Sequence, residues 1–568
     1  MPHLARHKNA PLTASAALFL SVGLGVSPAL AEQPALITTA VPAPAEADFV
    51  PLFNDLRNLA ITPGVGNGYH WNNDNVYLTY AGSVDPQGDP ILGTDTVRTN
   101  LGLTGSGVTI GIISDSFNAL GGASAGIASG DLPGAGNPLN STPVTVLNED
   151  FGSTRVDEGR AMAEIIHDIA PGANLLFHSA FNNAGSRDGT IATAIDNLRL
   201  AGADIIVDDV AILTAPFFQD GAAAQAANTA AQAGIGYYSS AGNSANNAHQ
   251  GTFSGAAGDL FNFSATGTDT LLDFTLPDDG NARITLQWSN PYASVSGAYS
   301  DTEAADFDLA IFDSGGNPVA FSTTDQDGIS DPVEFIDFTN ISGGTASYVV
   351  RVNAFDGPVD GALLKLLFAG DADVFDDDFS LSPTVFGQPG AEGAVAIGAQ
   401  VFDPASFGVG GSGPNEVNSF SSEGPVLILF DEDGNPVNLT RLGAELVGPD
   451  AVNTTFFGED IDDIFSSLEN DTFPNFLGTS AAAPHVAAVA ALLMEQANNQ
   501  GLDLTFDDIN QILFDTAVDL ETPGFDDLSG WGRVDAFAAS QAIAAIPEPT
   551  TLVLFTAGLG SLLLRRRR

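Results

Sequence analysis

The chain has 568 residues, with 17 Lys and Arg against 70 Asp and Glu, a formal net charge of −53 and no cysteine. Charge of that sign and size argues against nucleic acid and anionic lipid as partners, and most of the acids read as a solvated surface. Without cysteine no disulfide supports the fold, and the length allows two domains with a large core.

At the N-terminus, Arg6 and Lys8 precede a largely apolar segment, Ala14 to Val26, followed by Ala29-Leu30-Ala31. Charge, apolar stretch and small-residue site are the layout of a secretory signal peptide over 1–31, cleaved after Ala31. Residues 32–95 are rich in Pro, Gly and Asn with little periodicity, which suits a propeptide and an ordered N-terminal extension equally.

From Val108 the texture changes. Val108 to Asp115 is a continuous apolar run ending in an acid, as expected of a buried parallel strand. A helix is predicted over Glu158–Ile169, stopped at Pro171-Gly172, then a strand over Asn174–Ser179. A helix over Ile191–Leu200, a strand over Ala203–Val210, a helix over Ala222–Ala233 and a strand over Gly236–Ser240 follow, the last running into Ala241-Gly242-Asn243. This alternation predicts an α/β doubly wound parallel sheet, occupying 96–254, with ligands at the C-terminal ends of its strands.

Residues 255–372 break the pattern. Alternating segments such as Ala282–Trp288, Phe307–Phe312 and Ser347–Val352, separated by Asp, Gly, Asn and Pro turns, predict an all-β sandwich inserted into the α/β domain. The α/β texture resumes at Ala394–Ala399, so the domain's second part is taken as 373–546. It contains Val417-Asn-Ser-Phe-Ser-Ser-Glu-Gly424, then Gly478-Thr-Ser-Ala-Ala-Ala-Pro-His-Val-Ala487, a helix over Phe506–Thr516 and Gly530-Trp-Gly-Arg-Val-Asp-Ala536. In the second of these motifs Ser480 opens an apolar helical run, Ala481 to Met494, with Pro484 suited to a first helical turn. A serine hydroxyl is a poor nucleophile until a base takes its proton and donors stabilise the oxyanion, and small neighbours leave room for a peptide carbonyl.

The 478–487 stretch resembles the nucleophile motif of subtilisin-like (S8) serine peptidases. By the same resemblance Asp115, in Ile-Ile-Ser-Asp-Ser, matches the aspartate that ends the first core strand. Asn243, in Ser-Ala-Gly-Asn-Ser, matches the oxyanion asparagine, and the 417–424 and 530–536 motifs match the segment before the serine block and the closing motif. The resemblance covers about 101–255 and 373–545, with the 255–372 segment similar to the jelly-roll modules of secreted bacterial peptidases. It implies hydrolysis of protein or peptide substrates through an acyl-enzyme, with catalytic Asp115, Glu158 and Ser480 and an oxyanion hole at Asn243.

The departure is at the base. The family's His-Gly-Thr-His signature puts it at Glu158, just before Gly159. His167 lies nine residues on, and at ~100° per residue it points to the opposite helix face. His485 falls inside the serine motif, and His178 matches nothing. A glutamate base is a feature of the sedolisins, a related family, but there an aspartate stands four residues after the glutamate, where this chain has Met162. Sedolisins also carry aspartate where this chain has Asn243. Asp115 and Glu158 in hydrogen-bonding reach would share a proton, giving an acidic to near-neutral optimum. The competing reading of a chain without the histidine is a catalytically inactive surface binding protein of the same fold. Asp208-Asp209, following the strand core, reads either as an acidic rim of the substrate edge or as a solvated turn.

Asp-rich loops such as Asp376–Asp378 and Asp526-Asp527 have the chemistry of a structural Ca²⁺ site, but no EF-hand spacing occurs, so no metal or other cofactor is assigned. At the C-terminus, Pro547-Glu548-Pro549 precedes fifteen largely apolar residues, Thr550 to Leu564, and Arg565 to Arg568. This 547–568 arrangement resembles the PEP-CTERM sorting signal of Gram-negative bacteria, cleaved by an exosortase; the alternative is a plain single-pass tail anchor. Either reading places the body of the protein outside the cytoplasm.

Overall fold

The computed structural model describes residues 82–547 apart from 85–86, 153–154, 182–186, 377, 403–414, 459 and 461–470. The signal-peptide segment and nearly all of the 547–568 sorting segment lie outside the described residues. Among the described residues no helix is long and apolar enough to cross a membrane.

Seven parallel strands form the central sheet: β1 (Thr109–Ser114), β2 (Thr145–Asn148), β3 (Asn174–Ser179), β4 (Ile205–Asp208), β5 (Gly236–Ser240), then β15 (Val395–Val401) and β18 (Ala444–Asp450). Their order is β18-β15-β5-β4-β1-β3-β2. Because β1 neighbours β3 on one side and β4 on the other, the winding reverses at β1. An open parallel sheet leaves a crevice at the carboxyl ends of its strands at such a reversal. The predicted helix Glu158–Ile169 and strands β3 and β5 keep their bounds. The helix predicted from Ile191 begins earlier, at Arg187, and the strand predicted over Ala203–Val210 is shorter, since only Ile205–Asp208 pairs with its neighbours.

Strand periodicity assigns the two faces of the sheet. Ile110, Ile112, Ile205 and Val207 meet the helices Glu158–Ile169 and Thr479–Asn499. Ile113 and Ile206 meet the helices Arg187–Leu200 and Ala222–Gln232 through Ile191, Ile195, Ala223 and Ala227. The Thr479–Asn499 helix is buried continuously from Thr479 to Ala497, as an all-apolar helix must be, and its alanines let it lie close to the sheet. Pro484 falls in its second turn, not the first, because the helix already starts at Thr479. The proline ring has no N–H for the Ser480 carbonyl, so one helical bond is missing one turn below the serine.

Between β5 and β15 the chain builds two antiparallel sheets. One has the order β10-β9-β12-β7-β14, with β7 (Leu272–Leu276), β9 (Asp306–Asp313), β10 (Pro318–Ser322), β12 (Ala346–Asp356) and β14 (Asp373–Val374). The other is β11-β8-β13-β6, with β6 (Ala248–Thr252), β8 (Asn281–Trp288), β11 (Val333–Thr339) and β13 (Leu363–Gly370). The first of these strands starts at Ala248, ahead of the composition change at 255, because β6 pairs with β13. Trp288, Phe253, Phe274, Phe307 and Phe368 form a core separate from that of the parallel sheet. Gln287 ties this part to the segment after β4, accepting from Phe217 N at 2.8 Å and donating to Ala215 O at 2.7 Å.

Trp288 is fully buried, packs edge-on against Phe307 at 5.2 Å and donates to Ala305 O at 3.0 Å. Truncating a buried aromatic of this size costs about 3–5 kcal/mol. Trp288→Ala should therefore lower the urea unfolding midpoint by that amount of stability, and an unchanged midpoint would show that this core is not cooperative with the fold.

Candidate active site

The C-terminal ends of the strands deliver the site. Asp115 follows β1, Asp209 follows β4 and Asn243 lies three residues beyond β5, while Glu158 and Ser480 stand in the first turns of the two helices that cover this face.

Asp115 is buried and surrounded by donors. Its Oδ1 accepts from Glu158 N at 2.9 Å and from Ser116 N, and its Oδ2 accepts from Val156 N at 2.6 Å and Ser116 Oγ at 3.1 Å. Burial raises its pKa, and these donors oppose the rise. Asp115 thus acts as the cap of the Glu158–Ile169 helix from a different strand, fixing where Glu158 begins. Gly159 allows this approach: a Cβ there would lie 2.3 Å from the Phe177 ring and 2.9 Å from Ser116 O.

The Glu158 carboxyl is 5% exposed and lies beside the Ser480 hydroxyl and the Asp209 carboxyl. Burial, and next the Asp115 charge, push its pKa up to about 8, against the lowering effect of these two neighbours. The expected proton-sharing between Asp115 and Glu158 is not what the geometry provides. Both Asp115 oxygens are filled by backbone and hydroxyl donors, so Asp115 reaches Glu158 through its N–H, and Asp209 is the carboxyl that meets the Glu158 side chain.

Neither reading of Asp208-Asp209, an acidic rim or a solvated turn, holds, for both residues are buried. Strand parity sends Asp208 with Ile206 to the far face, where it accepts from Tyr237 OH at 2.6 Å, Ser239 Oγ at 3.0 Å and Gln388 Nε2 at 3.0 Å. Asp209 shares the parity of Val207 and turns to the near face, beneath the two helices. Sequence reasoning missed this role, though the alternation through Ile205-Ile-Val-Asp-Asp209 carried the signal.

Ser480 is 8% exposed. As a first-turn residue its N–H has no helical acceptor, and the helix N-terminus favours negative charge there. The Asn243 amide is oriented by its oxygen, which accepts from Thr479 N at 3.0 Å and Thr479 Oγ1 at 2.9 Å. That leaves Asn243 Nδ2 as a donor beside the serine. Gly478 has φ 105°, and a Cβ there would sit 3.1 Å from Nδ2. Asp450, at the end of β18, holds Gly478 N at 3.1 Å and Asn418 Nδ2 at 2.7 Å. Ser422, from the same 417–424 segment, donates its N–H to Gly242 O at 2.9 Å and accepts from Ser244 N at 3.1 Å, clamping the Asn243 loop. The closing motif edges β18, with Val534 N donating to Val447 O. An apolar-walled recess adjoins Asn243, lined by Val210, Ile212, Leu213 and Phe386.

The histidines stand apart from this cluster. His167 is buried beside Asn137 Nδ2 at 2.8 Å, and burial pushes its pKa down to about 4. His485 donates from Nδ1 to Ala481 O at 2.7 Å within the serine helix, and burial holds it near 4 as well. His178 bonds Ser179 O and Asn197. Met162 is fully buried in the core. Of the Asp-rich loops, Asp269, Asp376 and Asp378 offer carboxylate oxygens within 4.8 Å of one another, whereas Asp526 accepts from Leu528 N and Ser529 N of its own turn.

Residues 147–532 match the subtilase family, and the chain belongs to that family. Residues 545–568 match the PEP-CTERM protein-sorting motif. A 66-residue stretch is 44% identical to the extracellular serine protease of Serratia marcescens, covering 12% of this chain and 6% of that protein. Another, of 178 residues, is 35% identical to bacillopeptidase F of Bacillus subtilis (strain 168), covering 30% of this chain and 10% of that protein. The chain thus spans a small part of the length of both relatives. Among solved structures, the CspB protease of Clostridium perfringens overlays with a TM-score of 0.49 at 14% identity, over 81% of this chain and 99% of that one.

Burial raises several further carboxyls in the same way: Glu445 to about 8, Glu164 and Asp450 to about 7 and Asp208 to about 6. Folded pKa values above the unfolded ones mean that the native state binds more protons than the unfolded chain, so stability falls as pH rises. The contribution is complete below the ordinary carboxylate range and is lost as pH rises through about 6 to 8. Calorimetry should find a higher Tm at pH 5 than at pH 8.5, and the reverse order would overturn this assignment of buried protons.

Proposed function

We propose that the chain is an exported serine endopeptidase that cleaves protein or peptide substrates through an acyl-enzyme. The observation that carries this reading is the placement of the buried Glu158 carboxyl beside the Ser480 hydroxyl, in the first turns of two helices at the strand ends near Asn243. In this mechanism Glu158, in its carboxylate form, takes the Ser480 proton as Oγ attacks the scissile carbonyl. Asn243 Nδ2 and the Ser480 N–H hold the oxyanion, and the helix N-terminus adds to their field. Glu158 then returns the proton to the leaving amine, and a water repeats the sequence to release the acyl group. Asp115 acts through position, holding the first turn of the Glu158 helix against β1.

A non-catalytic surface protein would have no use for a buried base set beside this serine, and that placement therefore favours the enzyme. The sorting-motif match supports export and recognition by an exosortase-type enzyme at the envelope of a Gram-negative cell, with the chain released or retained there. The antiparallel sheets between β5 and β15 are read as an insertion in the peptidase domain.

Peptide hydrolysis measured from about pH 3 to 9 tests the assignment. A Glu158 carboxyl held at about 8 acts as a base only once it has lost its proton, so the rate should fall as pH drops below about 8, in place of the acidic to near-neutral optimum expected from the sequence. Ser480→Ala and Glu158→Gln should each lower kcat by at least about 10³-fold, and Asn243→Ala by about 10²–10³-fold. Wild-type rates equal to those of Ser480→Ala at every pH would overturn the peptidase reading; a rate undiminished from about pH 8 down to about pH 5 would remove Glu158 as the base.

A further inference from the structure

Asp209 belongs to none of the roles above, and its surroundings are those of a proton holder. It is 6% exposed, and its Oδ2 accepts from Ser114 Oγ at 3.1 Å. Its Oδ1 is buried with no donor from the chain. The Asp209 and Glu158 carboxyls nevertheless share this buried space, each acting on the other. Two ionised carboxylates are both acceptors only, and no bond can form between them unless one carries a proton.

Among the described residues no Arg or Lys forms an ion pair with Glu158 or Asp209. The guanidinium groups nearest in sequence to Glu158, Arg155 and Arg160, are bonded to Asp150 and Asp157. The titratable groups acting on Asp209 are Glu158 at the helix start, Asp115 behind β1 and Asp208 on its own strand, all acids. Asp115 is the member equipped to stay ionised, with its backbone and hydroxyl donors. Burial and the surrounding acids hold Asp209 well above the usual carboxylate range.

We infer that Asp209 is a positioning residue that holds one proton in common with Glu158, keeping Glu158 ionised and aimed at Ser480 while that proton resides on Asp209. The inference rests on the reading of Glu158 as the base. At rest the pair carries one proton, on Asp209. Attack by Ser480 brings the pair to two, and departure of the amine with the Glu158 proton returns it to one. Below the acidic limb the pair is doubly protonated and Glu158 accepts nothing; above the alkaline limb it is empty, and mutual repulsion turns Glu158 away from the serine. This pairing takes the place of the aspartate that the sedolisins carry on the glutamate's own helix, where this chain has Met162.

The test compares wild type with Asp209→Asn, an isosteric and permanent donor, and Asp209→Ala. In peptide hydrolysis, Asp209→Asn should retain activity and move the alkaline limb upward by a pH unit or more, and Asp209→Ala should lower kcat about 10²-fold throughout. Profiles superimposable on wild type for both variants, or Asn as damaging as Ala at every pH, would overturn the proposal. A second readout does not need catalysis. In the full chain carrying Ser480→Ala, adding Asp209→Asn should flatten the fall of Tm between pH 6 and 9, because one proton fewer is released. An unchanged slope rejects the shared proton even if peptides are cleaved. A flattened slope with no hydrolysis by wild type upholds the proton pair and rejects the peptidase.

Discussion

The structure depends on burying several carboxyl groups together, without a cation among them, at the ends of β1 and β4. Desolvation makes each charge costly, so the fold must either surround a carboxylate with donors or keep its proton in place. It does both. Asp115 collects N–H groups from Ser116, Val156 and Glu158, and Asp209 collects only a serine hydroxyl and a neighbouring acid. The difference in donor number separates two aspartates that are alike as side chains.

That separation organises the surroundings. The donors that Asp115 collects come from the turn before the Glu158 helix, so the same contacts that satisfy the charge fix the helix start and aim Glu158. On the other side, Asp450 and Thr479 fix the turn before Ser480, and the 417–424 segment locks the Asn243 loop to it. Five separate parts of the chain thus meet at the strand ends, held largely by hydrogen bonds from backbone N–H groups to buried side chains. Preorganisation of this kind is what a group must have to act on a developing charge without first rearranging. The same burial explains why His167, His178 and His485 are bystanders: each sits in the interior, where a proton on the ring is disfavoured.

Much of this was legible in the sequence. The apolar runs from Val108 and Ala203 announced parallel strands, since a strand covered on both faces needs no alternation. The Glu158–Ile169 helix was readable from its apolar spacing and its stop at Pro171. Alternation in residues 282–288 and 307–312 announced antiparallel strands with their own core. The motif around Ser480 could be recognised because its small residues answer local demands: Gly478 for a positive φ, the alanines for close packing on the sheet. Less legible were the ends of elements, which hydrogen-bond partners decide. Strand pairing stops β4 at Asp208 and starts β6 at Ala248, and neither limit is marked by composition.

The sequence by itself therefore determined the fold class, the order of the elements and the identity of the residues at the strand ends, because periodicity and turn chemistry are local properties. Which acid faces which was decided only by the tertiary structure. A one-residue step along β4 sends Asp208 and Asp209 to opposite faces of the sheet, and 50 residues lie in sequence between Glu158 and Asp209, two carboxyls that share one buried space. Proton affinity depends on desolvation and on the donors within a few ångströms, and those are set by packing between distant segments. Glu158 could be named from the sequence as the residue beside the serine; that its partner is Asp209 rather than Asp115 follows from where the folded chain places its N–H groups.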